Sequence, residues 1–232
     1  MADVITSQPQ SVAIAAAPQW GVATRKYAVE AIGAFFLTFA VGVAALSGSV
    51  FVPLAAGAML MVMIYAGGHI SGGHYNPAVT MAALVRRRIG IRDAVAYWVA
   101  QVAGGVIAGL LARAVVNPAG VKTLTLSGHA EAAAAVVELL ITFALCYVVL
   151  NVATSKDQPG NGFFGLAIGF TVAAGAFAVG GISGGAFNPA VTLGGATAGL
   201  FAWSTIWVYL VVQLGAGVAA GLAFLALNPG DR

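Results

Sequence analysis

Charge is what this 232-residue chain has least of, with 7% of its residues Asp, Glu, Lys or Arg against about 25% in a water-soluble domain. So few charges cannot clothe a water-facing surface, which excludes an ordinary soluble globular protein. There is one cysteine, Cys146. An intramolecular disulfide is therefore excluded, and the thiol, set in an apolar run, reads as packing. The first 24 residues have no lysine or arginine and only a short apolar stretch. A secretory signal needs a basic start and a longer apolar centre, so residues 1–24 read as a flexible cytoplasmic tail. Acids are nearly missing from the apolar runs, where Glu30 and Glu138 stand without a third. No Ser-His-Asp set, acid pair or metal-ligand cluster converges, so the sequence points to no enzyme, no cofactor and no metal.

What is abundant is hydrocarbon, at 60% hydrophobic residues. Apolar runs cover Ala28 to Ser47, Phe51 to Gly68, Ala94 to Leu111, Ala132 to Leu150, Phe163 to Gly180 and Trp203 to Leu227. Each is near the ~20 residues that a helix rising 1.5 Å per residue needs to cross a ~30 Å hydrocarbon core. Six spans starting from a cytoplasmic N-terminus put Arg25, Lys26, Arg86, Arg87, Arg88, Arg92, Lys156 and Arg232 inside and only Arg113 and Lys122 outside, as the positive-inside rule requires. The cluster Arg86 to Arg88 would suit nucleic acid or anionic lipid. A topology signal at a helix C-terminus accounts for it more simply, and no nucleic-acid partner is expected.

The chain then repeats itself. ISGGHYNPAVT at 70–80 returns as ISGGAFNPAVT at 182–192, and Tyr97, Gln101, Gly105 and Gly109 return as Tyr209, Gln213, Gly217 and Gly221, all at an offset of 112. Glu30 has a counterpart in Glu138. The halves run over about 25–116 and 129–228 within a single unit, 25–232. Each holds three spans, an odd number, so the second half is inserted upside down. Such inverted repeats place a solute path at their interface near the midplane.

Each Asn-Pro pair follows a glycine pair, Gly72-Gly73 or Gly184-Gly185, and precedes an apolar segment too short to cross, Ala78 to Val85 or Ala190 to Leu200. Proline fits the first turn of a helix, where its missing N–H costs nothing. Ten residues from Asn76 to Arg86 make ~15 Å of helix, about half the hydrocarbon thickness. Each segment is thus a re-entrant half-helix starting at the bilayer centre, and inversion brings Asn76 and Asn188 face to face there. The fold expected is an all-α membrane protein with six transmembrane helices plus two half-helices in an inverted repeat. The loops Gly72 to Tyr75 and Gly184 to Phe187 have irregular backbone at membrane depth, which is tolerated only if buried in protein or lining a watery path. A third Asn-Pro-Ala, at Asn117-Pro118-Ala119, lacks both the glycine pair and the half-helix and reads as a turn.

With GHISGGHYNPAVT at 68–80 and its mirror copy in view, the chain resembles the aquaporin and aquaglyceroporin family over about Arg25 to Leu227. The resemblance implies a passive channel for small neutral solutes, homotetrameric, multi-pass in a plasma membrane, with both termini cytoplasmic. It assigns Asn76, Pro77, Ala78, Asn188, Pro189 and Ala190 to the pore centre, where the two carboxamides donate to one solute oxygen. It assigns Gly72, Gly73, His74, Tyr75, Gly184, Gly185, Ala186 and Phe187 to the pore-lining loops, whose carbonyls replace the hydration shell. Glu30 and Glu138 would hold those loops by accepting their N–H groups, with a proton relay as the competing reading. The paired glycines Gly105/Gly109 and Gly217/Gly221 favour close helix approach, within or between subunits.

One position departs from the family. Where most members carry arginine after the second Asn-Pro-Ala, this chain has Val191, and the other three filter positions fall on Ala56, Ala176 and Gly185. Four small apolar side chains imply a wide outer constriction short of hydrogen-bond donors, resembling bacterial aquaglyceroporins that handle arsenic. Glycerol-like polyols, water, arsenite and methylated arsenicals are the solutes so implied. Two alternatives stand beside this: an ordinary water or glycerol facilitator narrowed by Phe177 or the loop 113–130, and a coupled secondary transporter, which also uses inverted repeats.

Overall fold

Glycine and asparagine punctuation divides the apolar sequence into long and short helices. The computed structural model describes residues 21–231. Six long helices, α1 (Val22–Leu46), α2 (Val52–Ser71), α4 (Ile91–Val116), α5 (His129–Thr154), α6 (Phe164–Ser183) and α8 (Ile206–Leu227), accompany two short ones, α3 (Pro77–Val85) and α7 (Pro189–Ala198). Most of the tail expected over residues 1–24 lies outside the described residues. Where it enters them the expectation fails, since the Arg25 N–H donates to Gly21 O at 3.1 Å and the helix already begins at Val22.

All six long helices have the length and hydropathy to cross a membrane. Around the flank, side chains that a soluble protein would bury are open: Leu110, Leu140, Phe170, Phe177, Val211 and Leu222 are each more than half exposed. The interior carries the polar residues instead, with Glu30, Gln101, Glu138, Gln213, Thr80 and Thr192 all buried. That inversion is the pattern of a chain whose solvent is hydrocarbon.

The two halves mirror each other in their packing. Helix α1 lies along α4 and α5 along α8, while α4 packs on α7 and α8 on α3. The pairs α2 with α6 and α3 with α7 meet across the axis relating the halves. The repeated glycines make this possible. A Cβ on Gly105 or Gly109 would run into the Ala190 or Gly194 carbonyl of α7, and one on Gly217 into the Ala78 carbonyl of α3. These glycines thus serve contacts inside the subunit and are not available as an argument for assembly. Because the obstacle is backbone and cannot swing away, Gly217→Ala is expected to destabilise the protein by about 1–3 kcal/mol. A melting temperature in detergent equal to the parent's would refute that.

Asn117 of the third Asn-Pro-Ala caps α4 in the left-handed conformation (φ 44°), its N–H donating to Arg113 O. It starts no half-helix, as its lack of glycines and apolar sequel suggested. On the far face, Arg113 reaches the C-terminal end of α7, donating to Ala198 O at 3.1 Å. On the face bearing the termini, the Arg86 to Arg88 cluster does more than signal topology. Arg86, fully buried beneath the Phe224 ring, pairs with Asp231 at 2.7 Å, and Arg88 reaches the same carboxylate at 3.2 Å. Asp231 also accepts the Lys156 N–H at 2.9 Å. That bond and then the two arginines hold its carboxyl below the usual carboxylate range. The stability contributed by a depressed carboxyl is complete above its ordinary pKa of about 3.9 and is lost only as pH falls through the lowered value. Near neutrality, then, this clasp over the base of α3 does not titrate.

Candidate functional site

Two loops meet in the middle of the bundle, each with the same unusual backbone. After α2, Gly72, Gly73 and Tyr75 have φ of 91°, 65° and 48°; after α6, Gly184, Gly185 and Phe187 have 85°, 68° and 50°. Glycine accepts this left-handed region freely, but for an aromatic residue it is strained. Glutamate holds the strained residues in place. Glu30 accepts the Ser71 hydroxyl (2.7 Å), the His74 and Tyr75 N–H groups (3.0 and 2.7 Å) and the Gln101 amide (2.7 Å). Glu138 accepts Ser183 (2.7 Å), Ala186 and Phe187 N–H (3.0 and 2.8 Å) and Gln213 (2.8 Å). With all four acceptor positions of each carboxylate occupied, a buried charge is tolerable.

From these loops the half-helices start. Asn76 and Asn188 sit in extended conformation as N-caps of α3 and α7, and their side-chain oxygens accept the Ala78 and Ala190 N–H groups at 2.8 and 2.9 Å. Pro77 and Pro189 take the first helical position. The carboxamide nitrogens cross between halves, Asn76 Nδ2 to Phe187 O at 3.0 Å and Asn188 Nδ2 to Tyr75 O at 2.9 Å. Each nitrogen has two protons. One is used in the crossed bond, and the other is left for whatever occupies the space between the residues.

Along that space lies a series of cavities that share walls. Its middle is a cavity of about 20 Å3 lined by both asparagines, Gly73, His74, Gly185 and Ala186, room for about one water. Towards the far face it opens through Gly185, Ala186 and Val191 into a cavity of about 140 Å3. Towards the termini it opens through Gly73, His74 and Val149 into two mouths of about 410 Å3 each, one walled by Lys26, Arg88 and Asp93, the other by His69, Gln158 and Asn161. Polarity is therefore uneven, with charged and amide groups at the termini face and hydrocarbon at the far face. The Thr80 hydroxyl lies 3.1 Å from both Asn76 O and His74 Nδ1, which holds the His74 ring beside the path.

The four filter positions divide. Val191 and Gly185 line both the middle and the far cavity, and Ala56 lines the middle. Ala176 stands behind Gly185, 3.5 Å from where a Cβ on that glycine would be, and does not line the path. Leu60, Val79, Ile168 and Val172 line the same narrow middle cavity as Ala56, Gly185 and Val191. Phe177 is 61% exposed on the flank and cannot narrow the path. Leu124, from the loop 117–128, does face the far cavity.

Two further expectations need correction. Tyr75 and Phe187 do not line the path: both are buried, and their carbonyls are taken by the crossed asparagines. The Tyr75 ring fills space left by Gly33 and Gly67, and its hydroxyl donates to Met63 O at 2.9 Å. Left-handed backbone at that residue turns the ring out into the helices. Gln101 and Gln213 were visible as repeated amides inside apolar spans, which was the signal for a buried polar role. Each also donates to the threonine of its own half, Thr80 at 2.9 Å and Thr192 at 3.0 Å.

The profile described as "Major intrinsic protein" matches residues 17–224. The chain is 40% identical over 207 residues to the glycerol uptake facilitator protein-like 6 of Lactiplantibacillus plantarum, covering 84% of this chain and 95% of that protein. It is 37% identical to aquaporin TIP1-2 of Zea mays, over 82% of this chain and 76% of the relative. Among solved structures, the aquaglyceroporin from Plasmodium falciparum superposes with a TM-score of 0.74 at 20% identity, over 87% of this chain and 95% of that one.

Proposed function

This chain belongs to the major intrinsic protein family, whose members are passive membrane channels and not enzymes, and from that premise we propose that it conducts small neutral solutes along the path between Asn76 and Asn188. The crossed carboxamides carry the reading, because they leave two N–H donors converging on a space of one water. A water accepting both bonds has its lone pairs occupied and cannot relay a proton along the file. The half-helix ends behind the asparagines, each equivalent to about +0.5 charge, oppose cations, and the Glu30 and Glu138 carboxylates offset part of that field. Ion exclusion therefore depends mainly on the carboxamides.

Val191, Ala56 and Gly185, the glycine backed by Ala176, form an arginine-free filter in this reading. Water and glycerol-like polyols are the first solutes proposed, and neutral metalloid hydroxides such as arsenous acid, with methylated arsenicals, are included because they are uncharged and polyol-like. A homotetramer in a plasma membrane, termini in the cytoplasm, completes the proposal. Uptake into proteoliposomes tests it. Rates for water, glycerol and urea should rise linearly with concentration and ignore uncouplers, whereas saturation or uncoupler sensitivity would return the coupled transporter. Val191→Arg should slow glycerol more than water, since its side chain would enter the opening shared by the two cavities. Equal loss for both solutes in a folded variant would show that residue 191 does not set the width.

A further inference from the structure

The far-face cavity has a chemistry that nothing above explains. Its walls include Val41, Val52, Leu124, Leu200 and Phe201, and the only polar side chain among its lining residues is Thr38, whose hydroxyl is covered. We propose that this cavity is a receptor for short alkyl groups, so that the channel favours neutral solutes with an apolar end over equally large, fully hydroxylated ones, and that Leu124 sets the preference. The inference rests on the channel reading.

The apolar walls are held in place from the backbone. Leu124 donates its N–H to Leu200 O at 2.8 Å and accepts the Ala202 N–H at 3.0 Å, a parallel bridge that ties the loop 117–128 to the segment after α7. The Phe201 ring lies in space that Gly184 and Gly195 leave free and packs on Tyr209 with centroids 5.4 Å apart. The volume, about 140 Å3, exceeds the ~30 Å3 of a single liquid water several-fold, enough for a solute of several heavy atoms. It shares Gly185, Ala186 and Val191 with the tight middle stretch, so it adjoins that stretch on the far-face side. A hydroxyl that sheds its water here finds no side-chain donor before the asparagines. A methyl or methylene gains instead, by roughly fourfold in partition for each group moved out of water. Since the tight stretch is also lined by Leu60, Ile168 and Val172, the advantage persists along the path and lowers the barrier as well as filling the cavity.

Glycerol and 1,2-propanediol, which share a carbon skeleton and differ by one hydroxyl, make the test. Their permeabilities into proteoliposomes are measured with the rates of protein-free vesicles subtracted. The parent should pass 1,2-propanediol about fourfold faster than glycerol or better, Leu124→Ser should cut that ratio at least twofold, and Leu124→Ile should restore it. Osmotic water flux in the same vesicles reports an open path. A parent ratio of one or less overturns the proposal without need of any variant, and so does an unaltered ratio in a water-conducting Leu124→Ser protein. Absence of flux for every solute in the parent would instead overturn the channel reading beneath it.

Discussion

Asn188→Asp is expected to raise cation conductance of the reconstituted protein by roughly a hundredfold. The substitution keeps the oxygen that caps α7 at Ala190 N–H and removes the amide that donates to Tyr75 O. A carboxylate now stands where a donor faced the narrow middle of the path. A unit negative charge ~5.5 Å from a passing cation at an effective dielectric of ~20 lowers its energy by about 3 kcal/mol, which is where the hundredfold comes from. Two effects reduce it: the carboxylate repels the Tyr75 carbonyl it used to bond, and any water following the cation screens the charge. Asn76→Asp should behave alike, because Asn76 makes the mirror-image bond to Phe187 O. Planar-bilayer current or vesicle depolarisation measures the change. If both variants fold, conduct water and pass no more cation than the parent, the carboxamides are not what excludes ions.

Glu138→Gln is expected to destabilise the bundle strongly. Four donors converge on the two carboxylate oxygens, two on each: Ser183 and Ala186 N–H on Oε1, Phe187 N–H and Gln213 on Oε2. Whichever way the glutamine is turned, its NH2 faces a fixed backbone N–H, Ala186 or Phe187, and the side-chain donor beside it, Ser183 or Gln213, loses its carboxylate partner as well. At about 1–3 kcal/mol for each stranded donor the loss is roughly 2–6 kcal/mol. The strained Phe187 backbone at φ 50° loses one of the bonds that hold it, so the loop should relax and carry Asn188 out of register. A large drop in melting temperature in detergent together with collapsed water flux is the expected pair of results. Glu30→Gln should match it, because Glu30 holds the other loop with the same set of partners. A proton-relay role for these acids makes a different forecast, an intact fold with altered pH dependence of transport, and the two measurements separate the cases.

Local sequence determined the architecture of this protein. The six spans follow from runs of hydrocarbon side chains long enough for a bilayer, and the half-helices from an Asn-Pro pair after two glycines, features contained within a dozen residues each. The repeat, with three spans per half, then forces inversion, and inversion alone brings Asn76 and Asn188 together. Tertiary structure decided everything that depends on which surfaces meet. Tyr75 and Phe187 looked like lining residues from their place in the loops, but left-handed backbone turned them into the packing beside Gly33, Gly67 and Gly175. The Arg86 to Arg88 cluster gained a partner in Asp231, across 145 residues for Arg86, and Leu124 gained Phe201. The volumes along the path, about 140 Å3 outside the asparagines and about 20 Å3 between them, belong to the same class. No periodicity or motif encodes such contacts, because a side chain's direction and the gap it leaves are set by neighbours far away in the chain, which the order of residues brings close only after the helices have packed.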